Sequence, residues 1–134
     1  MVLDTNAALD WLLFADPAMI ELSAAIVGAQ VRWIATAVMR REFTHVLERG
    51  LAAGRGVAPT LLLAAWSAHC AEVPAPQANA KGLRCTDASD QMFVDLALAN
   101  GARWLVSRDR AVLKLRRRAA QLGLDITPPD DWLR

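Results

Sequence analysis

Trp104-Leu105-Val106-Ser107-Arg108-Asp109 decides the fold. An apolar run ends in a hydroxyl, a cation and an acid, two residues after Asn100-Gly101, a pair that stops helices. Consecutive apolar residues mark a strand buried on both faces, as in a parallel sheet. The opening Val2-Leu3-Asp4 repeats the pattern, so Asp4 and Asp109 both read as residues at the carboxyl ends of buried strands. Open parallel sheets place their sites at such ends.

Working upstream, Asp87-Ala88-Ser89-Asp90 caps a helix carrying Met92, Phe93, Leu96, Ala97 and Ala99. Residues 74–89 before it, with Pro74, Pro76, Asn79 and Gly82, read mostly as loop. Downstream, a basic helix is expected over 111–122, with Gly123 as its end, then a strand over 124–127 and Pro128-Pro129. Nearer the start, Thr5 or Asn6 caps a helix to about Phe14, and Asp16-Pro17 opens another that stops near Gly28. A strand over 31–35 follows. Thr36 then caps a helix whose Met39, Phe43, Val46, Leu47 and Leu51 recur at helical spacing, with Glu42 and His45 off that stripe. After Gly54-Arg55-Gly56, Pro59 starts a helix expected to end near Ala71. Alternating strands and helices predict an α/β fold: a single three-layer α/β/α domain over residues 1–134 with a central, mostly parallel sheet.

Composition narrows the class. The chain has 134 residues, 54% hydrophobic and 22% charged, with 15 Lys+Arg against 14 Asp+Glu, enough for one compact domain. No apolar run approaches the roughly 18 to 20 residues of a bilayer span, and the N-terminus lacks a signal-peptide pattern, so a cytoplasmic protein without membrane contact is expected. Cys70 and Cys85 follow no metal-ligand spacing, and five tryptophans spread over separate elements suit core packing; Trp132, in the tail, is the one candidate for an oligomer contact.

Charge is segregated. Residues 1–31 hold Asp4, Asp10, Asp16 and Glu21 with no Lys or Arg, whereas Arg103, Arg108, Arg110, Lys114, Arg116, Arg117 and Arg118 surround Asp109 as the only acid of their stretch. Arg108, Arg116, Arg117 and Arg118 are the candidates for contacting a polyanion.

Asp4, Glu42, Asp90 and Asp109 all fall near strand ends or helix starts. Each alone reads equally well as a helix cap, a turn residue or a solvated acid; their common destination is what suggests a site. Converging carboxylates repel unless a divalent cation supplies positive charge. Ligation by oxygen alone suits Mg²⁺ or Mn²⁺, whereas zinc recruits His or Cys, and His45 and His69 form no such set. Such an ion supports in-line displacement at a phosphodiester.

These residues resemble the PIN domain family: Val2-Leu3-Asp4-Thr5-Asn6, Glu42 in the helix after the second strand, and Asp90-Gln91-Met92-Phe93-Val94-Asp95 running on to Ser107-Arg108-Asp109. The resemblance covers essentially the whole chain. It implies that Asp4, Glu42, Asp90 and Asp109 form an acidic catalytic site, with Asp4, Asp90 and Asp109 as metal ligands and Asn6 or Ser107 supporting Asp4. Asp87 resembles the first acid of an Asp-x-x-Asp pattern in one subgroup and is taken as supporting. The chain is most similar to small bacterial PIN toxins of toxin–antitoxin modules, which implies Mg²⁺- or Mn²⁺-dependent endoribonuclease activity, an RNA substrate, a protein antitoxin and a homodimer. Alternatives are a structure-specific DNA nuclease, a non-catalytic binding module, and a haloacid-dehalogenase-like phosphatase, which wants an acid where this chain has Asn6.

Overall fold

The computed structural model describes residues 1–133. Five short strands, β1 (Val2–Leu3), β2 (Trp33–Ala35), β3 (Cys70–Glu72), β4 (Trp104–Val106) and β5 (Asp125–Thr127), alternate with seven helices. These are α1 (Thr5–Leu12), α2 (Ile20–Val27), α3 (Ala37–Val46), α4 (Pro59–His69), α5 (Gln91–Ala99), α6 (Arg110–Leu113) and α7 (Arg116–Gln121).

Every strand pair is parallel: β1 pairs with β4, Val2 opposite Leu105 and Leu3 opposite Val106; β4 pairs with β5; and β2 pairs with β3. Met1 joins the two ladders, its amino group donating to Arg32 O at 2.8 Å and its carbonyl accepting from Ile34 N at 3.0 Å. The spatial order is therefore β3-β2-β1-β4-β5. In a parallel sheet all carboxyl ends lie on one edge, so the residues after β1 and β4 are neighbours. Asp4 N confirms this by donating to Val106 O at 3.2 Å.

Val2, Leu105 and Val106 have no exposed surface, which explains why both strands read as unbroken apolar runs. Beside the sheet, α1, α3 and α4 meet through aromatic rings. Trp33 stands edge-on to Trp66 with centroids 4.7 Å apart, Trp66 lies 4.8 Å from Phe43, and Trp11 lies 5.6 Å from both Trp33 and His69. Phe43 is wholly buried on α3, one residue after Glu42. The other side of that helix stays in partial contact with solvent, which is how one amphipathic helix both fills the core and presents an acid.

Several features differ from expectation, among them α3, which ends at Val46 before a wider turn over Leu47–Leu51. The helix from Pro59 stops at His69 rather than Ala71, and Cys70–Glu72 becomes the edge strand β3, held by Val73 N donating to Ala35 O at 2.8 Å. The basic helix expected over 111–122 is two helices. Leu115 N bonds Val112 O at 3.0 Å, a tightened turn that puts Leu115 into the core before α7 restarts at Arg116. Trp132 is no oligomer contact: it is 5% exposed and packs edge-on against Trp104 at 5.6 Å. Among the described residues, no helix is long and apolar enough to cross a membrane.

Removing the Phe43 ring leaves a cavity between α3 and Trp66. Phe43→Ala should lower stability by about 3–5 kcal/mol, read as a lower denaturant midpoint with an unchanged m-value.

Candidate functional site

Asp4 begins the site. It follows β1 directly, is 4% exposed, and caps α1 by accepting from Ala7 N at 2.8 Å through Oδ1. The expected cap at Thr5 or Asn6 is thus one residue early, because Asp4 itself holds the extended backbone of an N-cap. Asp109 does the same after β4, its Oδ1 accepting from Ala111 N at 2.8 Å to cap α6. Asp87 caps the single 3₁₀ turn Ala88–Asp90, accepting from both the amide and the hydroxyl of Ser89. Asp90 ends that turn at the start of α5 and has no cap bond; its Oδ2 is buried without a hydrogen-bond partner.

One oxygen each of Asp87, Asp90 and Asp109 lies within 4.8 Å of the others. Asp4 stands beside this group, close enough that its charge and those of Asp90 and Asp109 repel. Burial, followed by the nearby Asp10 and Asp109 charges, pushes the Asp4 carboxyl up to about 6, against the Ser107 hydroxyl and the Ala7 amide, which favour the anion. Burial also pushes Asp90 up to about 7, with Asp109, Asp87 and Asp4 adding repulsion. Asp87, exposed and bonded by Ser89, is held below the usual carboxylate range. The side-chain charges that act on Asp4 and Asp90 are all carboxylates.

The remaining expected residues fall in different places. Glu42 lies outside the three-oxygen group, its Oε2 accepting from the Thr5 hydroxyl at 2.5 Å. Ser107 is fully buried, accepts from Asp109 N at 3.0 Å and supports Asp4 from the same side chain. Asn6 is exposed on the first turn of α1 and makes no side-chain hydrogen bond among the described residues. Arg108 turns from the site: its guanidinium meets Asp10 at 2.7 Å, Asp130 at 3.1 Å and Asp16 at 3.2 Å, so three carboxylates occupy the group expected to meet phosphate. Arg116, Arg117 and Arg118 are all exposed on α7.

Two residues do not read from sequence as contributors to the site, Thr5 reading there only as a cap. Thr5 couples Glu42 to the helix that Asp4 caps, and Gln91 braces the chain before Asp87 by accepting from Cys85 N at 2.6 Å and donating to Leu83 O at 2.8 Å. Each adjoins an acid of the site, and that adjacency was the available signal.

Four acids thus gather at the carboxyl edge of a parallel sheet, and the sequence pattern of the PIN domain matches residues 1–111. The chain belongs to the PIN domain family. No curated protein matches it significantly. PIN domains are a nuclease-type fold, generally metal-dependent and acting on nucleic acids, and typically use divalent ions. The residues present fit such an ion. Asp90 Oδ2 is a buried acceptor lacking a donor, and hard oxygen donors crowd it without a neutralising side chain.

The raised carboxyls set a sign for pH dependence. Asp4 and Asp90 bind protons more tightly folded than unfolded, so their contribution to stability declines as pH rises from about 4 through about 7. For the buried Asp4 the decline is about 3 kcal/mol. Metal-free Asp90→Asn should therefore melt higher than wild type at pH 8, the gap closing near pH 4. Thermal melts in chelator across that range check this, and a constant gap refutes the coupling.

Proposed function

We propose that this PIN domain is a divalent-metal-dependent endoribonuclease serving as the toxin of a toxin–antitoxin module. The observation that carries the reading is the unpartnered Asp90 Oδ2 within a cluster of carboxylates. Asp90 and Asp109, with Asp4 beside them, would hold Mg²⁺ or Mn²⁺, and Asp87 would reach it from the exposed side. When bound, the ion supplies water activation and stabilises charge in an in-line displacement at a phosphodiester. The chain's own residues prepare for this. The cap bonds at Asp4 and Asp109 fix each carboxylate through Oδ1. The Asp90 carboxyl must lose its proton first, so metal affinity falls as pH drops below about 7. Glu42, anchored by Thr5, is positioned as the outer acid of the catalytic set.

An RNA substrate is supported by the resemblance to toxins and by the three exposed arginines of α7. Successive helical residues turn by about 100°, so only one or two of these arginines can track a backbone at once. A structure-specific DNA nuclease needs an element that grips a flap, and the long loop before α5 is instead folded back on Gln91. An antitoxin or a second copy has exposed apolar side chains to cover on α2, Ile20 and Val27.

Wild type with Mn²⁺ should cleave a mixed RNA pool in single-turnover assays. Asp4→Asn, which keeps the helix cap because asparagine caps as well as aspartate, should fold yet lose nearly all cleavage and calorimetric Mn²⁺ binding. Asp87→Asn should lose less than Asp90→Asn, since Asp87 is solvated and bonded to Ser89. Cleavage by Asp4→Asn at the wild-type rate would remove the metal assignment.

On that inactive background, replacing one phosphate-contacting arginine among Arg116, Arg117 and Arg118 with Gln should reduce the slope of log affinity against log salt by roughly 0.7. If none of the three changes the slope, α7 faces solvent or a protein partner rather than RNA.

A further inference from the structure

Beside the acids lies a cavity of about 340 Å³, lined by Asn79, Arg84, Cys85, Ala88 and Gln91. Its wall adjoins the site: Ala88 lies between Asp87 and Asp90 in the chain, Gln91 follows Asp90, and the charges of Asp90, Asp87 and Asp109 act on Cys85. The volume is at the lower end of the roughly 300–1,000 Å³ range of small-ligand pockets, which suits one nucleotide rather than two.

The lining is built rather than accidental. Gln91 spends its whole amide on the frame, accepting from Cys85 N and donating to Leu83 O and to Asp95 at 2.9 Å. That frame holds the segment carrying Arg84 at the start of α5. Exchanging the O and N of the Asn79 amide satisfies both ends, with donation to Leu83 O at 3.2 Å and acceptance from the Arg84 guanidinium at 3.1 Å. Arg84 is thereby oriented by one neutral acceptor, and no carboxylate pairs with it among the described residues. Arg108 differs in being wrapped by three acids. Arg84 is the only cation on the cavity wall, and Cys85 and Ala88 supply its small, flat side.

We infer that this cavity is a subsite for the nucleotide flanking the scissile phosphodiester, with Arg84 contacting its phosphate and the base lying along Cys85 and Ala88. The assignment rests on the nuclease reading above and adds to it where the strand lies: it leaves the acids toward the loop over 79–85. Arg84 touches substrate away from the reacting atoms, so its contact is made equally in the ground and transition states. Its loss should raise KM and leave kcat in place.

The test uses the full chain with Mn²⁺ and a short single-stranded RNA that wild type cleaves. Arg84→Gln should raise KM about tenfold with kcat within about twofold, and Arg84→Lys should recover part of the loss. Ala88→Met fills the cavity without changing charge; it should raise KM similarly while calorimetric Mn²⁺ affinity stays at the wild-type value. Arg103→Gln removes the same charge from the opposite end of β4, where Arg103 lies 4.6 Å over the Trp104 ring, and should leave KM unchanged. Equal KM for wild type, Arg84→Gln and Ala88→Met overturns the subsite while leaving the nuclease standing. A KM increase shared equally by Arg103→Gln overturns it too, since general charge then accounts for the effect. If wild type neither binds nor cleaves RNA in Mn²⁺, both readings fall.

Discussion

Backbone amides hold together carboxylates that repel one another. Asp4, Asp87 and Asp109 each accept from an amide at the start of a helical turn, and those bonds recover some of what crowding the charges costs. The same bonds make cap and ligand compatible roles, since each engages a single oxygen, Oδ1. Asp90 alone has no such bond, and it is the acid pushed furthest from its ordinary range. An opposing force kept on a cap, rather than on an arginine, leaves the site negatively charged and open to a cation. Stability is given up locally for that purpose, and the aromatic packing of Trp33, Phe43 and Trp66 lies where the fold can bear it.

Much of this was legible in the residues. The buried strands β1 and β4 announce themselves as apolar runs, Thr36 caps α3, and Asp16 caps at Pro17 as expected, although it opens the 3₁₀ turn Pro17–Met19 ahead of α2 rather than the helix itself. The parallel α/β architecture and the family followed from the same pattern. What stayed hidden is tertiary. Cys70–Glu72 is three residues long, follows a helix with no Gly or Pro between, and is a strand only because β2 offers it an edge. The split between α6 and α7 has no breaker residue either; burial of Leu115 decides it.

Sequence placed the acids near strand and helix ends but could not rank them. Asp87 and Asp90 are three apart on one turn, and only the folded structure distinguishes a solvated acid bonded to Ser89 from a half-buried one with a bare oxygen. Arg108 illustrates the other limit. A cation next to an acid of the site reads as a substrate contact, yet its partners lie 98, 92 and 22 residues away along the chain. Its role is to tie α1, the turn at Asp16 and the segment at Asp130 to the end of β4.

The pairing of β1 with β4 also orders events in time. Asp4 is made well before Asp109, yet their carboxylates meet only when Leu3 lies opposite Val106. Contacts between such distant parts of a chain form late in folding. No partly synthesised chain that ends before β4 can carry the complete set of acids, so a molecule built this way assembles its site only after β4 has been made.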